Sequence, residues 1–237
     1  MRIFGKGFNF SQDGPGNRLV YHLSGCNMHC IWCSNPEGMR MDAGKEYSVD
    51  EILEECISAR MMFFSGGGVT FTGGEATLQA EELIDLLKKL REAGIHTALE
   101  TNGTTDSLRE IEPFVDYLIM DFKHFDGEVL KRYTGISNEM TKQNYIRHCE
   151  SGRQQHIRIP LVNEINAYEP DAYASWLAGY RTENTVFEFL TYHEYGKDKY
   201  GRLGMEYTMT DSARIPPDTL AYFTRILTDA GITCIRT

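Results

Sequence analysis

The 237-residue sequence has no run of apolar residues long enough to cross a membrane, and its first residues lack the charged-then-apolar pattern of a secretion signal. A spanning helix needs about 20 consecutive apolar residues, so we expect no membrane partner. The missing leader pattern predicts a cytoplasmic protein. Low-complexity tracts and linkers rich in proline, glycine or serine are also missing. A single domain over residues 1–237 is therefore the expectation.

Basic residues are scarce relative to acidic ones. Lysine and arginine number 24 against 34 aspartates and glutamates, which gives a formal net charge of −10. Binding to nucleic acid depends on neutralising phosphates with lysine and arginine, so this balance argues against nucleic acid as the main partner. Hydrophobic residues make up 41% of the chain, and a chain of this length can bury a substantial core.

Cysteines are few, but three of the six fall within eight residues. Cys26, Cys30 and Cys33 form a C-x-x-x-C-x-x-C loop. Three soft ligands in one loop predict a metal site, and three cysteines on a [4Fe–4S] cluster would leave one iron open to a small molecule. The alternative is a zinc site completed by His22 or His29, although the second ligand pair that is usual in such sites is missing.

Strands alternate with helices along most of the chain. Predicted strands cover 18–24, 68–72, 96–100, 117–121, 155–162 and 186–190, with a short closing strand at 232–235. Predicted helices cover 48–60, 78–93, 107–114, 127–133, 141–151, 171–178 and 218–230. Such alternation indicates βα units and a parallel sheet, either doubly wound or closed into part of a barrel.

Polar clusters fall at or near the carboxyl ends of the predicted strands. They are the cysteine loop and the segments 72–75, 100–103, 121–123 and 191–194, together with Arg158. Barrel active sites gather loops from all strands at one such mouth, whereas a doubly wound sheet concentrates its site at one switch point. We therefore predict an α/β fold: a partial (βα)6 TIM-type barrel with parallel strands and the active site at its C-terminal mouth.

Four of these clusters have both a functional and a structural interpretation. The Gly-Gly-Glu triplet at 73–75 could let the backbone approach a ligand closely, or could simply form a tight turn. Glu100 and Asp121 end neighbouring predicted strands, with Lys123 two residues further on. These three could bind a zwitterionic amino acid or share a cation, or could form a salt bridge at the mouth. His193 could contact a ligand or cap the sheet edge.

Together these residues resemble the radical S-adenosylmethionine superfamily and, more narrowly, the activating enzymes of glycyl radical enzymes. The cysteine loop and the Gly-Gly-Glu triplet are the marks of the superfamily. The narrower likeness runs through the segments 13–16, 65–70, 101–103, 120–123, 134–138, 192–197 and 203–204. No further cysteine-rich segment follows Cys33, so the likeness is to the compact branch without auxiliary clusters.

The resemblance implies roles for individual residues. Cys26, Cys30 and Cys33 would ligate a [4Fe–4S] cluster that chelates S-adenosylmethionine. Cofactor contacts would come from Trp32, Gly73, Gly74, Glu75, Glu100, Lys123 and His193. A monovalent cation would lie at Glu100, Thr101 and Asp121, beside the backbone carbonyl of Ile119, although Glu100 replaces the aspartate usual in the family. Asp13 and Arg158 would recognise the substrate loop.

The resemblance also implies a reaction. One electron from the reduced cluster would break S-adenosylmethionine into methionine and a 5′-deoxyadenosyl radical, which would take a hydrogen from the Cα of a glycine in a partner enzyme. The partners would be a glycyl radical enzyme and a flavodoxin or ferredoxin-type reductant, and the chain a monomer. No acid–base pair is needed, and none is evident. The alternatives are a radical enzyme acting on a small molecule, of the deazapurine synthase type, and a non-catalytic zinc or iron–sulfur module.

Overall fold

The computed structural model describes residues 1–180 and 183–235. Over these residues the β-strands are β1 (Arg2–Phe10), β2 (Asn17–Leu23), β3 (Lys45–Glu46), β4 (Gly68–Gly73), β5 (Thr97–Thr101), β6 (Tyr117–Asp121), β7 (Gln155–Leu161), β8 (Thr185–Thr191) and β9 (Cys234–Ile235). The α-helices are α1 (Val49–Ser58), α2 (Ala80–Glu92), α3 (Leu108–Ile111), α4 (Gly127–Thr134), α5 (Glu139–Ser151), α6 (Pro170–Leu177), α7 (Lys197–Arg202) and α8 (Pro217–Asp229). No helix among the described residues is both long and apolar enough to cross a membrane.

The chain forms two compact units. The first consists of Met1–Asn27, Asn35–Thr101 and Thr105–Ile119. The second consists of Met28–Ser34, Asn102–Thr104 and the chain from Met120 onward. The boundary passes through the cysteine loop after Asn27 and through β6 after Ile119. The single domain expected over residues 1–237 stays a prediction.

The sheet of the first unit has the strand order β3-β1-β2-β4-β5. β2 pairs in parallel with β4, and β4 in parallel with β5, as predicted. β1 and β3 are not predicted from the sequence, and their pairing is antiparallel. These two strands add an antiparallel extension to the predicted parallel strands. Gly5, Gly7 and the exposed Lys6 interrupt the apolar alternation of β1, because much of this edge strand faces solvent.

Helices of the first unit follow the signals in their sequence. The side chain of Ser48 accepts a hydrogen bond from the Glu51 N–H while Glu51 reaches back to the Ser48 N–H, which completes the predicted capping box of α1. α2 buries a stripe of leucines at helical spacing, namely Leu83, Leu86, Leu87 and Leu90. Gly94 follows α2 with a φ of +66°, the left-handed conformation that ends many helices.

The sheet of the second unit contains β7, β8 and β9, paired in parallel in that order. Helices α6 and α8 cover one of its faces, where Phe223 of α8 contacts both Tyr173 of α6 and Phe189 of β8. Because successive strand residues point to opposite faces, Glu188 points to the other face. Arg158, its neighbour in register on β7, points there too.

Candidate functional site

The parallel strands of the first unit bring several predicted site residues to one edge of the sheet. Leu23, the last residue of β2, lies opposite Gly73, the last residue of β4. Cys26 follows the end of β2, Glu75 follows the end of β4, and Thr101 ends β5. The Thr101 hydroxyl donates a 2.7 Å hydrogen bond to Oε1 of Glu75. This edge of the first unit is the carboxyl edge that the sequence predicts.

The Gly-Gly-Glu turn is bonded directly to the start of the cysteine loop. The Gly74 N–H donates to the Leu23 carbonyl at 2.9 Å, and the Glu75 N–H donates to the Gly25 carbonyl at 2.7 Å. Gly73 has a φ of +135°, which favours glycine. A Cβ on Gly74 would lie 2.2 Å from the Gly25 carbonyl oxygen. Both glycines thus allow the Gly-Gly-Glu turn to approach the chain that follows β2, in addition to any approach of a ligand.

Glu75 is almost fully buried, at 1% exposure. Its Oε1 accepts hydrogen bonds from the Thr77 N–H at 3.0 Å, the Thr77 hydroxyl at 2.5 Å and the Thr101 hydroxyl at 2.7 Å. A buried carboxylate needs such partners, because desolvation is costly for a charged group. Glu75 therefore fixes the turn and joins it to the end of β5. The sequence reasoning missed Thr77, which carries no distinctive spacing signal.

Backbone contacts fix the cysteine loop at both ends. In the first unit, the Cys26 N–H donates to the Met39 carbonyl at 3.1 Å. In the second unit, the N–H groups on either side of Cys30 donate to the carbonyls of Thr134 at 2.8 Å and Tyr133 at 3.2 Å, where α4 ends. These carbonyls are left without helical partners at a helix end. The segment 134–138, noted in the sequence, thus anchors the loop.

Tyr200 is a contact of the loop that the sequence reasoning missed. Its hydroxyl donates to the Cys30 carbonyl at 3.1 Å, although 170 residues separate the two in the chain. Burial raises the pKa of Tyr200 to about 12, with the neighbouring thiol of Cys33 adding to the rise. The phenol therefore stays protonated at neutral pH and can donate.

The thiols of the loop fit an iron–sulfur cluster by their chemistry. The six cysteines all lie within the described residues, and none of them forms a disulfide. Cys26 and Cys33 are partly exposed and Cys30 is buried, so the loop can supply thiolates, the ligands that such clusters take. Over residues 1–180 and 183–235, no three or more His, Cys, Asp or Glu side chains are grouped as a metal site. The assignment of Cys26, Cys30 and Cys33 as the cluster ligands stays a prediction.

Asp121 and Lys123, both in the second unit, form a salt bridge. The Lys123 ammonium donates to Oδ2 of Asp121, and both side chains are largely buried. This is the salt-bridge interpretation that the sequence left open. Asp121 thus already has a positive partner, and the hydroxyl of Thr101 donates to Glu75. The monovalent cation at these residues and Glu100 stays a prediction.

His193 and Trp32 lie on the second unit. His193 follows β8, and its ring stacks on Tyr195 with centroids 4.0 Å apart. Burial lowers the pKa of His193, and the Tyr195 N–H donates to His193 Nδ1 at 3.4 Å. The neutral ring therefore carries its proton on Nε2. Trp32 packs against a buried cluster that contains Tyr192, and its ring lies 6.4 Å from that of Tyr133.

Asp13 lies at the opposite edge of the first unit's sheet from Cys26. Its turn precedes β2, whereas the cysteine loop follows β2. Seven residues at roughly 3.3 Å each place about 20 Å of strand between them. Asn9 donates to the Asp13 carboxylate, and the Thr70 hydroxyl donates to the Asp13 carbonyl at 2.7 Å. The structure does not bring Asp13 to the carboxyl edge, and its recognition of a substrate loop stays a prediction.

Arg158 belongs to a buried charged group in the second unit. Its Nε donates to Oε2 of Glu188 at 2.8 Å, and Nε2 of His156 lies 3.0 Å from the same oxygen. All three side chains are nearly inaccessible to solvent. Arg158 is therefore committed to Glu188 in this structure, and its predicted contact with a substrate loop is not tested by it.

Comparisons with known proteins agree with these features. The sequence model of the radical SAM superfamily matches residues 20–177. The pyruvate formate-lyase-activating enzyme of Clostridium pasteurianum is 36% identical over 204 residues, which cover 84% of this chain and 85% of that protein. The 4-hydroxyphenylacetate decarboxylase activating enzyme of Clostridioides difficile is 27% identical over 291 aligned positions, which cover 94% of this chain and 91% of that protein.

A solved structure supports the same assignment. The crystal structure of a domain of pyruvate-formate lyase-activating enzyme from Bacteroides vulgatus matches with a TM-score of 0.60 and 30% identity, over 73% of this chain and 99% of that domain. The predicted α/β fold class is confirmed, and it agrees with a partial TIM-type barrel. The predicted cofactors, a [4Fe–4S] cluster and S-adenosylmethionine, are those of the family, and activating enzymes of this kind act on a glycyl radical enzyme. The chain therefore belongs to the radical SAM superfamily, among the activating enzymes of glycyl radical enzymes.

Proposed function

We propose that this chain activates pyruvate formate-lyase or a near relative of it, by taking a hydrogen from the Cα of one glycine. When bound, the cluster and S-adenosylmethionine together supply the 5′-deoxyadenosyl radical that takes this hydrogen. The observation that carries the proposal is the bond from the Glu75 N–H to the Gly25 carbonyl. This bond joins the Gly-Gly-Glu turn to the cysteine loop. The reaction requires these two motifs to lie side by side.

The choice of partner rests on the length of the alignments. The alignment with the 4-hydroxyphenylacetate decarboxylase activating enzyme runs over 291 positions, more than the 237 residues of this chain. That relative therefore carries inserted segments that this chain lacks. The alignment with the pyruvate formate-lyase-activating enzyme needs only 204 positions for 84% of the chain. The compact form of this chain supports a partner of the pyruvate formate-lyase type.

The Gly-Gly-Glu turn is suited to bind the amino group of S-adenosylmethionine. The N–H groups of Gly74 and Glu75 both donate to β2 and the residues after it. With these two N–H groups already bonded, the turn can offer a ligand its acceptor oxygens, and an ammonium group is the donor that complements them. Glu75, held by its own hydrogen bonds, keeps the turn in place. These residues would orient the cofactor, while Cys26, Cys30 and Cys33 would hold the cluster.

Other residues would contribute charge and hydrogen bonds. We assign to Nε2 of His193 a hydrogen bond to the cofactor, because its Nδ1 already accepts from Tyr195. Lys123 would offer positive charge to the cofactor's carboxylate while it neutralises Asp121. The cation expected at Glu100 would add charge of the same sign. Trp32 would line the loop from the second unit, since it packs against the cluster of Tyr192.

Formation of a radical on the partner tests the proposal. We expect the anaerobically reconstituted and reduced protein to produce a glycyl radical, seen by electron paramagnetic resonance, on pyruvate formate-lyase, with one 5′-deoxyadenosine formed per radical. A partner whose target glycine is replaced by alanine is the matched control and should give no radical. 5′-Deoxyadenosine release with no radical on any glycyl radical enzyme would instead favour a small-molecule substrate. Zinc without labile sulfide would favour a non-catalytic module.

The electron donor and the oligomeric state also belong to the proposal. We expect a flavodoxin or ferredoxin-type protein to reduce the cluster, and the enzyme to act as a monomer in the cytoplasm. Reduction by flavodoxin can be followed as bleaching of the cluster's visible absorption. Light scattering at the concentration of the assay measures the mass, and a value twice the 27.0 kDa of the chain would contradict the monomer.

A further inference from the structure

The backbone of two loop cysteines, Cys30 and Cys33, contacts the helix α7 in the second unit. The Cys30 carbonyl accepts two hydrogen bonds, one from the Cys33 N–H at 3.1 Å and one from the Tyr200 hydroxyl at 3.1 Å. Both acceptor sites of this buried carbonyl are therefore used. The first bond closes the turn between the two cysteines, and the second ties that turn to α7.

The start of α7 touches the other cysteine. A Cβ on Gly196 would lie 2.2 Å from the Cys33 carbonyl oxygen, a backbone atom that cannot rotate away. Gly196 and Tyr200 are four residues apart, so they lie on the same face of the helical turn. One face of α7 thus meets both the Cys30 and the Cys33 carbonyls.

This helix is itself anchored on the second unit. The Tyr200 ring meets the Tyr207 ring edge-on at 5.0 Å, and the Tyr207 hydroxyl lies 2.7 Å from that of Tyr192. Just before α7, Glu194 Oε2 accepts a 2.9 Å hydrogen bond from the Arg214 guanidinium. Tyr200 is only 4% exposed. The aromatic packing and this ion pair hold α7 against the loop, and the buried Tyr200 ring keeps water from the Cys30 carbonyl.

We propose that Gly196 and Tyr200, which we call the α7 clamp, position the Cys30–Cys33 turn for the cluster. Tyr200 is then a positioning residue: its hydroxyl orients a ligand's peptide group, and its ring shields that group from water. Hydrogen bonding and solvent exposure around an iron–sulfur cluster set its reduction potential. The clamp rests on the proposed function only in that these two cysteines are cluster ligands.

Gly196→Ala tests the steric part of the clamp. The added methyl group must displace the Cys33 carbonyl, so we expect the reconstituted protein to lose most of its iron and labile sulfide. Gly201→Ala is the matched control: it lies in the same helix, and a Cβ added there would have nothing within 4 Å. We expect it to keep full cluster content. A Gly196→Ala protein with wild-type iron content and an unchanged resonance spectrum of the reduced cluster would overturn the steric contact.

Tyr200→Phe tests the hydrogen bond and keeps the ring. We expect the cluster to assemble, but with a more negative midpoint potential and with iron loss to a chelator about two- to tenfold faster, the range of one neutral hydrogen bond. Tyr222→Phe is the matched control: it removes a hydroxyl from an exposed tyrosine of α8 that takes no part in the clamp, and should leave both values near wild type. Equal potentials and equal rates of iron loss in the two variants would overturn the role of Tyr200. These readouts need no partner enzyme, so they are independent of which glycyl radical enzyme is activated.

Discussion

Cys30→Ala is expected to yield a protein that holds almost no iron–sulfur cluster. The three-cysteine loop already leaves one iron without a protein ligand, so the variant would have only two thiolates for four irons. Cys30 is the most buried of the three, at 8% exposure, and its backbone carbonyl stays bonded to Tyr200 in the variant. The loop should therefore keep its fold while losing the ligand. Iron, labile sulfide and visible absorption after anaerobic reconstitution measure the loss.

Cys234→Ser provides the matched control. Cys234 lies on the edge strand β9, and burial raises the pKa of its thiol to about 11. Cys56 is more deeply buried, its thiol donates to the Tyr21 hydroxyl, and burial raises its pKa to about 12. Neutral thiols are poor metal ligands, so cysteines outside the loop should be dispensable for the cluster. A Cys234→Ser protein without cluster, beside a Cys30→Ala protein with one, would contradict the ligand assignment.

Local signals in the sequence predict the elements that carry the site. The capping box at Ser48 and the leucine stripe of α2 predict the helices, and short segments rich in β-branched and aromatic residues, such as 68–72, predict the buried parallel strands. Because parallel strands end at the same edge, the order of these elements suffices to bring Glu75 and Thr101 together. The carboxyl edge of the first unit could thus be predicted without coordinates.

Contacts between distant parts of the chain could not be predicted in this way. Tyr200 meets Cys30 across 170 residues, and no spacing rule connects such a pair. β1 is half exposed and rich in glycine, so its pattern resembles a loop. The turn that carries Asp13 precedes β2, so its place at the amino edge follows from the strand predicted at 18–24. The sequence pattern does not reveal the antiparallel strand β1 that leads into this turn.

The sequence and the structure assign different roles to the glycine pair Gly73 and Gly74. From the sequence, the two glycines serve a ligand that approaches the backbone. In the structure, the space beside Gly74 is filled by the carbonyl oxygens of Gly25 and Gly38, at 2.2 Å and 2.5 Å from a Cβ. Gly25 directly precedes Cys26, so a displaced Gly25 carbonyl would also move a proposed cluster ligand. The glycine requirement exists before any cofactor binds.

Gly74→Ala is therefore expected to weaken both the turn and the cofactor site. Overpacking against two backbone oxygens destabilises the fold by about 1–3 kcal/mol. Relief of the clash shifts the turn, and loss of one hydrogen bond of about 1.4 kcal/mol from its carbonyls would weaken S-adenosylmethionine binding about tenfold. Calorimetry on the anaerobically reconstituted protein measures the binding. The apo protein should also melt at a lower temperature, because the clash does not involve the cofactor.

The thermal midpoint of the apo protein separates the two roles of Gly74. If the glycine served only the approach of a ligand, Gly74→Ala would leave the apo protein as stable as before or slightly more stable, because alanine restricts the unfolded chain. If it serves the approach of Gly25, the apo protein loses stability. Gly7→Ala is the matched control, since nothing lies within 4 Å of a Cβ on Gly7 in β1; it should leave binding unchanged and should not lower the apo midpoint. Weak cofactor binding with an unchanged apo midpoint would restore the ligand-only role.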